Sequence, residues 1–479
     1  MKTMLSMRRS RHAARIGACL FVVAVIALVA GCGGNGVVKY DLTIASTAGG
    51  STSPAAGTHG YTEGAEVDLG ATAYADYRFA NWTGDVGTIA NVSAAATIIV
   101  MNDDYSITAS FIKQYGLSIS STAGGSVTIP GEGSHTYDEG AIVNLAARGE
   151  EGYGFVNWTG DVGTIADAGA ALTTITMNAD YAITANFEEL KVEELFAGGN
   201  GTEEHPYLIM NWHHLNNIRY FLSGHYILMN DLDSATAGYT ALASATANGG
   251  MGWEPIGDYQ GLQLGFTGGF DGQGHEIIDL FIDRPDEGNT GLFDVILGGA
   301  VVENVGIVNG SVTGGSNVGV LAGGSTGTIS CSYSNSSVTG DMSVGGLVGS
   351  KGGTVSNSYV TGSVSGNMYV GGLVALNSLG TIRNCYSTAA VTGGHHVGGL
   401  VGDNSATVSD SFWNIEMSGQ SASAGGTGKT TVEMQDIATF SGAGWEIVTV
   451  ADPDVRNPSY IWNIVDGQTY PFLSWQSVS

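Results

Sequence analysis

Basic residues are scarce in this sequence of 479 residues, which has 16 Lys and Arg against 44 Asp and Glu, a formal net charge of −28. Five basic residues and no acidic ones precede Cys32, so the part that begins at Cys32 has 11 basic and 44 acidic residues, a net charge of −33. Phosphate binding requires clustered Lys and Arg. The shortage argues against a nucleic-acid partner, and charge of this size favours solubility.

Motifs that carry catalysis are also missing. There is no His-Glu-x-x-His zinc motif, and residues 323–327, which fit the nucleophile-elbow pattern, lie in a Gly/Ser/Thr-rich stretch with no helix pattern around them. Polysaccharide lyases and hydrolases need carboxylates, or a metal with a base, gathered on one face. From 318 to 417 the acidic residues are Asp341, Asp403, Asp410 and Glu416, and no pair of them recurs at one position of the repeat described next. We therefore expect no catalytic residue, no bound metal and no cofactor.

The main feature that is present is a repeat. A hexapeptide recurs at 318–323, 344–349, 370–375 and 397–402, in steps of 26, 26 and 27 residues. Self-similarity at such a period indicates a stacked architecture. In the second unit, short Val- and Thr-rich runs at 344–349, 354–359 and 360–364 predict three strands. Three strands in 26 residues make one coil of a parallel β-helix, and the coils must stack because one coil cannot bury its own apolar face.

Residues at equal positions of stacked coils lie above one another. Two such sets are an aromatic set, Tyr333, Tyr359, Tyr386 and Phe412, and a polar set, Cys331, Asn357, Asn384 and Asp410. We expect the aromatic rings to form a ladder, and the amides of Asn357 and Asn384 to hydrogen-bond along the stack. Strand alternation places Val355, Asn357 and Tyr359 on one face, which we predict points inward, and Ser356 and Ser358 on the outer face.

The repeat resembles the GLUG motif, named for a Gly-Leu-hydrophobic-Gly core. Residues 346–349 and 399–402 match that core, whereas the third copy ends in Ala375 and the first begins with Val320. The resemblance covers residues 318–417. It implies a β-helical repeat of bacterial surface and secreted proteins, and it implies no catalytic residue.

The cysteines of the repeat are not expected to pair. Cys331 and Cys385 are two coils apart, about 9.6 Å at the strand spacing, which exceeds the roughly 7 Å that a disulfide can bridge. Cys331 also aligns with Asn384, whereas Cys385 aligns with Ser358. The two side chains should therefore face opposite ways, as free thiols.

The N-terminus has the pattern of an export signal, with basic residues up to Arg15 followed by the apolar run Ala18–Ala30. The run ends in Val-Ala-Gly-Cys at 29–32, which resembles a bacterial lipobox. The resemblance implies cleavage before Cys32 and a diacylglycerol on its thiol, which would anchor an otherwise soluble chain. The alternative is a plain signal peptide with a chance cysteine. Gly33 follows, with no Asp there to favour inner-membrane retention in a diderm cell.

A second repeat precedes the stack. Residues 46–50, 61–65, 81–90 and 101–105 recur about 76 residues later, and the segment 81–90 recurs without change at 157–166. Alternating strands separated by turn residues predict two small antiparallel β modules, at 38–113 and 114–189. The Gly-Gly turn, the Asn-Trp-x-Gly core and the closing Ile-Thr-Ala-x-Phe strand resemble the divergent internalin-type B repeats of bacterial surface proteins. The resemblance implies β-grasp-like spacer modules.

Two residue pairs in these modules have alternative interpretations. Trp82 and Trp158 are expected in the core, with sugar stacking as the alternative, because a Phe lies close before each of them. Asp85 and Asp161 are expected to cap turns rather than to bind Ca²⁺, because no EF-hand-like series of acids surrounds them.

The ends of the stack carry capping signals. At 196–317, ahead of the repeats, Asn211 can cap a helix at Trp212–Leu222, between strands near 206–209 and 225–229, before the first coils. At 418–479, Thr430 to Glu433 form a capping box that predicts a helix near Val432–Phe440. The aromatics that follow, Trp445, Trp462, Tyr470, Phe472 and Trp475, are expected to form a lid over the last coil. A ligand platform is the alternative.

The sequence thus predicts an all-β protein in which two modules lift a parallel β-helix from a membrane. The signal peptide occupies 1–31, and the chain is expected to be lipid-anchored through Cys32 at the outer membrane or cell surface. Adhesion or surface binding is the leading function, with an extracellular glycan or a surface protein as partner. A structural envelope layer is the first alternative and a carbohydrate-active enzyme the second.

Overall fold

The computed structural model describes residues 36–257 and 265–476, so Cys32 and the predicted signal peptide at 1–31 lie outside the described residues. The chain divides into two compact units between Gln114 and Tyr115. The fold confirms the expected all-β class, with two small β modules followed by a parallel β-helix.

The first module lies in the first unit. Its strands are β1 (Lys39–Ser46), β2 (Gly50–Ser53), β3 (Gly57–Thr62), β4 (Glu66–Ala73), β5 (Tyr77–Gly84), β6 (Ala96–Val100) and the first part of β7 (Tyr105–Ser121). One sheet has the order β3-β1-β7-β5 and the other β2-β4-β6. β1 and β7 pair in parallel, so the expectation of a purely antiparallel module was wrong. Alternate residues such as Leu42, Ile44 and Trp82 fill the core.

The second module repeats this arrangement. The last part of β7 pairs in parallel with β13. The other strands are β8 (Gly125–Ile129), β9 (Gly133–Asp138), β10 (Ile142–Gly149), β11 (Tyr153–Gly160), β12 (Leu172–Thr176) and β13 (Tyr181–Glu189). Its core contains Leu117, Leu145 and Trp158, which correspond to the core residues of the first module.

The two tryptophans are core residues, as predicted. Trp82 and Trp158 are buried, and their indole N–H groups donate to backbone oxygens at 3.1 and 3.0 Å. The aspartates tie the ends of β5 and β11 to the neighbouring strands β7 and β13, where local turn caps were predicted. Asp85 and Asp161 each accept a backbone N–H at 2.9 Å, from Ser106 and Ala182.

The β-helix is preceded by a cap of short elements. They are α1 (Val192–Leu195), β14 (Tyr207–Ile209), α2 (Trp212–Asn217), a 3₁₀ turn (Ile218–Tyr220), β15 (His225–Leu228), α3 (Tyr239–Leu242) and a second 3₁₀ turn (Ala247–Gly250). The Asn211 side chain caps α2 as expected, by accepting the His214 N–H. The helix was expected to extend to Leu222, but it ends at Asn217, because the chain tightens to a 3₁₀ turn there.

The coils consist of strands of two to ten residues. They are β16 (Gly269–Asp271), β17 (Glu276–Ile278), β18 (Phe281–Thr290), β19 (Phe293–Ile296), β20 (Val301–Glu303), β21 (Gly306–Val308), β22 (Ser311–Val318), β23 (Ala322–Ser325), β24 (Thr328–Ser330), β25 (Tyr333–Ser334), β26 (Ser337–Thr339), β27 (Met342–Gly345), β28 (Val348–Lys351), β29 (Thr354–Ser356), β30 (Tyr359–Val360), β31 (Ser363–Ser365), β32 (Met368–Gly371), β33 (Val374–Asn377), β34 (Thr381–Arg383), β35 (Tyr386–Ser387), β36 (Ala390–Thr392), β37 (His395–Gly398), β38 (Val401–Asn404), β39 (Thr407–Ser409) and β40 (Phe412–Asn414).

Each full coil has five short strands rather than the three predicted. The coil that begins at Met342 runs through β27, β28, β29, β30 and β31, and each of these pairs in parallel with its equivalent one coil later. The strands form four sheets that run along the stack. The extra corners were missed because a bend of one or two residues leaves the apolar pattern of the sequence almost unbroken.

The GLUG core forms the corner between β27 and β28. A Cβ on Gly346 would lie 2.3 Å from the carbonyl oxygen of Gly372 in the next coil and 2.6 Å from the Val360 side chain. In this coil only glycine permits the approach, whereas the first copy of the motif accommodates Val320 at the equivalent position. Leu347, which follows it, is fully buried in the coil interior.

The predicted facing of the residues after β29 was wrong. Asn357 has φ +47°, the left-handed conformation. This one residue bends the chain and shifts the alternation by one position, so that Ser358 lies inside the coil and Tyr359 outside. Ser358 is fully buried, and its hydroxyl donates to Ser356 O at 2.8 Å.

The C-terminal region covers the aromatic ladder from outside. It consists of α4 (Ile415–Ser418), β41 (Thr427–Lys429), α5 (Thr431–Met434), α6 (Ile437–Ser441), β42 (Ile447–Thr449), β43 (Trp462–Ile464) and β44 (Phe472–Leu473). The Thr430 capping box is present, but the expected single helix is broken into α5 and α6. Phe440, Trp445 and Trp462 pack on the ladder at the side of the coils, whereas β41 and the segment before it lie against the last coil. The predicted lid is therefore mainly a side cover.

Candidate functional site

The aromatic ladder is a structural element in this fold. Tyr333, Tyr359 and Tyr386 stack with ring centroids 5.0 and 4.8 Å apart and planes within 6°. The hydroxyl of Tyr359 donates to the Gln476 side chain at 2.7 Å, and that of Tyr386 donates to the Pro471 carbonyl at 2.5 Å. Burial raises the pKa of all three phenols. Since these rings, like Phe412, are at most 7% exposed, the ladder offers no surface to a ligand.

The polar set identified in the repeat does not form the expected amide ladder. Its residues instead occupy a left-handed bend of the backbone. Asn357 and Asn384 both have φ near +50°, as do Cys331 and Asp410 at the equivalent positions. The Asn357 side-chain oxygen is buried without a hydrogen-bond partner. Asn tolerates the left-handed region better than most residues, so its conformational preference explains its place there.

An amide ladder does exist, at a different position. Lys351, Asn377 and Asn404 follow one another along the inner side of one sheet. The Lys351 ammonium donates to Asn377 Oδ1 at 2.8 Å, and Asn377 Nδ2 donates to Asn404 Oδ1 at 2.7 Å. Lys351 is 1% exposed, and its burial lowers the pKa of the ammonium to about 8. This inner polar column is closed to ligands and stabilises the stack.

Cys331 and Cys385 are both free and lie on opposite faces of the coil, as predicted. Cys385 is buried among the apolar residues of the coil interior. Cys331 packs at the edge of the ladder. Burial raises the pKa of Cys385 to about 12 and that of Cys331 to about 11, so neither is an activated nucleophile.

A second left-handed column runs along the stack. It runs through Asn289, Asn317, Ser343, Tyr369 and His396, which have φ between +50° and +59°. Asn317 donates to the Asn289 side chain at 3.0 Å. Asn and His are enriched in this region of backbone space, but a residue as bulky as Tyr is an outlier there. Such outliers cost about 1–3 kcal/mol and concentrate at functional sites.

Tyr369 and its neighbours form a partly exposed surface that we call the ring patch, composed of Met368, Tyr369, His395, His396 and Asp403. The rings of Tyr369 and His396 lie on adjacent coils with centroids 4.8 Å apart and an interplanar angle of 34°. His396 Nδ1 is 3.9 Å from Asp403 Oδ1 across the GLUG corner. The His396 and Asp403 side chains are 55% and 45% exposed.

The ring patch has the composition of a binding surface. It combines the half-buried Tyr369 ring, two exposed imidazoles and a carboxylate, and it lies on strands β32, β37 and β38, which the coil holds in register. In the described part of the chain, no three His, Cys, Asp or Glu side chains are arranged to hold a metal ion. The rings of Tyr369 and His396 can stack on a flat ligand, and the imidazole and the Asp403 carboxylate can hydrogen-bond to it.

Reasoning from the sequence missed this site, although a signal was present. Asn317, Ser343, Tyr369 and His396 occupy equal positions of four repeats. The change from small polar residues to rings within one column was visible. Its meaning depends on the positive φ of that column, which the sequence alone does not reveal.

The fold defines a class, that of multidomain proteins in which small β modules precede a parallel β-helix. Residues 40–114 and 115–191 each match the divergent InlB B-repeat domain, and residues 366–392 match the GLUG motif. The resemblances to the GLUG motif and to the B repeats are thereby confirmed.

Relatives of this chain are much longer proteins. Halomucin of Haloquadratum walsbyi is 35% identical over 176 residues, which cover 36% of this chain and 2% of halomucin. A candidate Gly-rich membrane protein of Evansella cellulosilytica is 38% identical over 140 residues, which cover 28% of this chain and 15% of that protein. These relatives and domains indicate a cell-surface protein.

A solved structure is also similar. A candidate immunoglobulin A1 protease from Bacteroides ovatus is 20% identical, covers 59% of this chain and 96% of its own, and has a TM-score of 0.41. In the part of the chain that the structure describes, no helix is both long and apolar enough to cross a bilayer.

Proposed function

We propose that this chain is an exported, lipid-anchored envelope protein whose β-helix binds ligands on the outer face, through the ring patch. The observation that carries the proposal is Tyr369, a bulky residue in the left-handed conformation whose ring stacks on the exposed His396. A purely structural column would favour Asn, as at Asn317.

Binding rather than catalysis is the proposed activity. The ring patch contains one carboxylate, Asp403, and the other acidic residues of the four coils fall at different positions of the repeat. Glycoside cleavage by the usual route needs a pair of carboxylates that flank one bond. A screen for lyase and hydrolase activity on the full chain should therefore give no turnover.

The test uses a variant that removes the ring and keeps the backbone. Tyr369→Asn restores the residue type found at Asn317, which has φ +52°. The purified full chain should bind one or more surfaces on a panel of immobilised glycans and proteins, and Tyr369→Asn should lose that binding while it remains folded. Leu379→Asn, which removes an exposed apolar side chain between β33 and β34, serves as the control.

The alternative is a structural envelope layer without a ligand. The regular stack and the covered ladder suit that role equally well. Binding that is absent, or that does not change in Tyr369→Asn, would favour it and contradict the proposal.

A further inference from the structure

We infer that the ligand of the ring patch is a neutral, hydroxyl-rich glycan. The inference rests on the proposed binding function and adds the chemical class of the ligand. It follows from the charges around the patch and from the combination of groups within it.

The Lys and Arg residues near the patch are not arranged to bind an anion. Apart from the histidines of the patch itself, residues 318–417 contain one lysine and one arginine, Lys351 and Arg383. The Lys351 ammonium points into the coil and donates to Gly353 O at 2.7 Å and to Asn377. Arg383 lies on β34, which belongs to a different sheet from β32 and β37. Within these coils, neither cation is placed to pair with a sulfate or carboxylate at the patch.

The acidic groups around the patch also disfavour an anionic ligand. Asp403 lies beside His396, and the exposed Asp341 directly precedes Met342, which pairs with Met368 of the patch. A chain with a formal net charge of −28 repels polyanions as a whole. An anionic polymer would therefore meet like charge at both long and short range.

The same groups suit a sugar ring. An aromatic face accepts the apolar C–H face of a pyranose, and an ionised carboxylate is a strong acceptor for hydroxyl donors. Tyr369 and His396 supply the rings, and Asp403 supplies the acceptor. Because β32, β37 and β38 fix these side chains on neighbouring strands, little ordering is required on binding.

The experiment compares polymers that share a backbone and differ in charge. The full chain is titrated with dextran and with dextran sulfate, and then with mannan and laminarin as further neutral probes and polygalacturonate as a further anionic one. At least one neutral polymer should bind, with an affinity that changes little between low and high salt. Dextran sulfate and polygalacturonate should not bind.

Two variants connect the binding to the patch. Tyr369→Asn should weaken binding of the neutral polymer at least about fivefold, and Asp403→Asn should weaken it by a similar factor because a charged acceptor becomes neutral. Leu379→Asn should bind like the wild type. Circular dichroism confirms that each variant remains folded.

The possible failures are distinct. Binding of dextran sulfate or polygalacturonate that depends on Tyr369 would overturn the neutral-glycan assignment and leave the proposed function intact. The neutral-glycan assignment is likewise overturned, with the proposed function intact, if no neutral polymer binds while protein surfaces bind through Tyr369. Binding that is unaffected by Tyr369→Asn would overturn both.

Discussion

At the scale of single residues, Lys351 shows how the stack tolerates a charge. Its ammonium donates to Gly353 O, Asn377 Oδ1 and Leu379 O at 2.7, 2.8 and 3.4 Å. These three acceptors replace water around a buried cation, and buried polar groups without such partners are costly.

The lowered pKa of Lys351 predicts a pH dependence of stability. Burial lowers this pKa from 10.5 to about 8. Between these values the unfolded chain binds more protons than the folded protein, so the free energy of unfolding should rise with pH, by roughly 3 kcal/mol for this group. The cost of the buried charge is fully present below pH 8. The buried thiols Cys331 and Cys385 and the ladder tyrosines have raised pKa values, so they lower the free energy of unfolding over the same pH range in any variant that keeps them. The test is therefore a difference: between pH 7 and pH 10.5, urea unfolding should give a change in the free energy of unfolding that is more positive in the wild type than in Lys351→Met by roughly 3 kcal/mol. Equal changes in the two proteins would contradict the account.

The stacking of the ladder predicts that loss of one ring lowers the stability of the protein. Tyr359→Ala should destabilise the protein by about 3–5 kcal/mol, because it removes a ring packed between two others and beneath Trp462. Ser358→Ala should cost roughly 1–3 kcal/mol, since its buried hydroxyl accepts Ser332 N–H and donates to Ser356 O.

Ser363→Ala, on an exposed position of β31, provides the control and should change the midpoint of thermal unfolding little. If Tyr359→Ala had as small an effect as Ser363→Ala, the ladder would not be a stabilising element.

The facing of these residues could be predicted only in part. The register of the aromatic set was evident from the repeat, and it is found as expected. The direction of the rings was not, because it depends on the left-handed bend at Asn357. An asparagine at such a bend is suggestive, but Asn also occurs in turns, caps and strands, and sequence alone does not choose between them.

At the scale of elements, the GLUG motif has a simple physical basis. Its glycines permit close contact between neighbouring coils, and its leucine fills the interior. The third copy carries Ala375 where the other copies have glycine, and this residue is fully buried. The period and the corner were predictable because they depend on composition at fixed spacing. The number of strands was not, since short bends leave no apolar gap.

The C-terminal cover predicts the effect of a truncation. Removal of residues 430–479 keeps β41 and exposes Tyr333, Tyr359, Tyr386 and Phe412, which form one apolar cluster with Met434, Phe440 and Trp462. Exposed aromatic patches of this size promote association. The truncated chain should aggregate or unfold at a much lower temperature, measured by light scattering and calorimetry.

A substitution at an exposed position of the same segment serves as the control. Val432→Ser changes a residue that is 77% exposed in the same segment and should remain soluble with an unchanged melting temperature. A truncated chain as soluble and stable as the wild type would show that the segment is no cover.

At the scale of the whole molecule, the proposal depends on export and anchoring. The lipobox-like sequence at 29–32 predicts that Cys32→Ala releases the protein from the membrane fraction or blocks its maturation. Cys19→Ala, within the apolar run of the signal, should leave partition into detergent unchanged. Normal processing and partition of Cys32→Ala would contradict lipid anchoring.

The central claim is that Tyr369 is retained for binding at the expense of backbone strain. The free energy of unfolding of Tyr369→Asn tests it most directly, because Asn relieves the left-handed strain and removes the half-buried ring together. The account predicts a value equal to that of the wild type or higher by about 1 kcal/mol. A decrease of several kcal/mol, as expected for a buried structural ring, would contradict it.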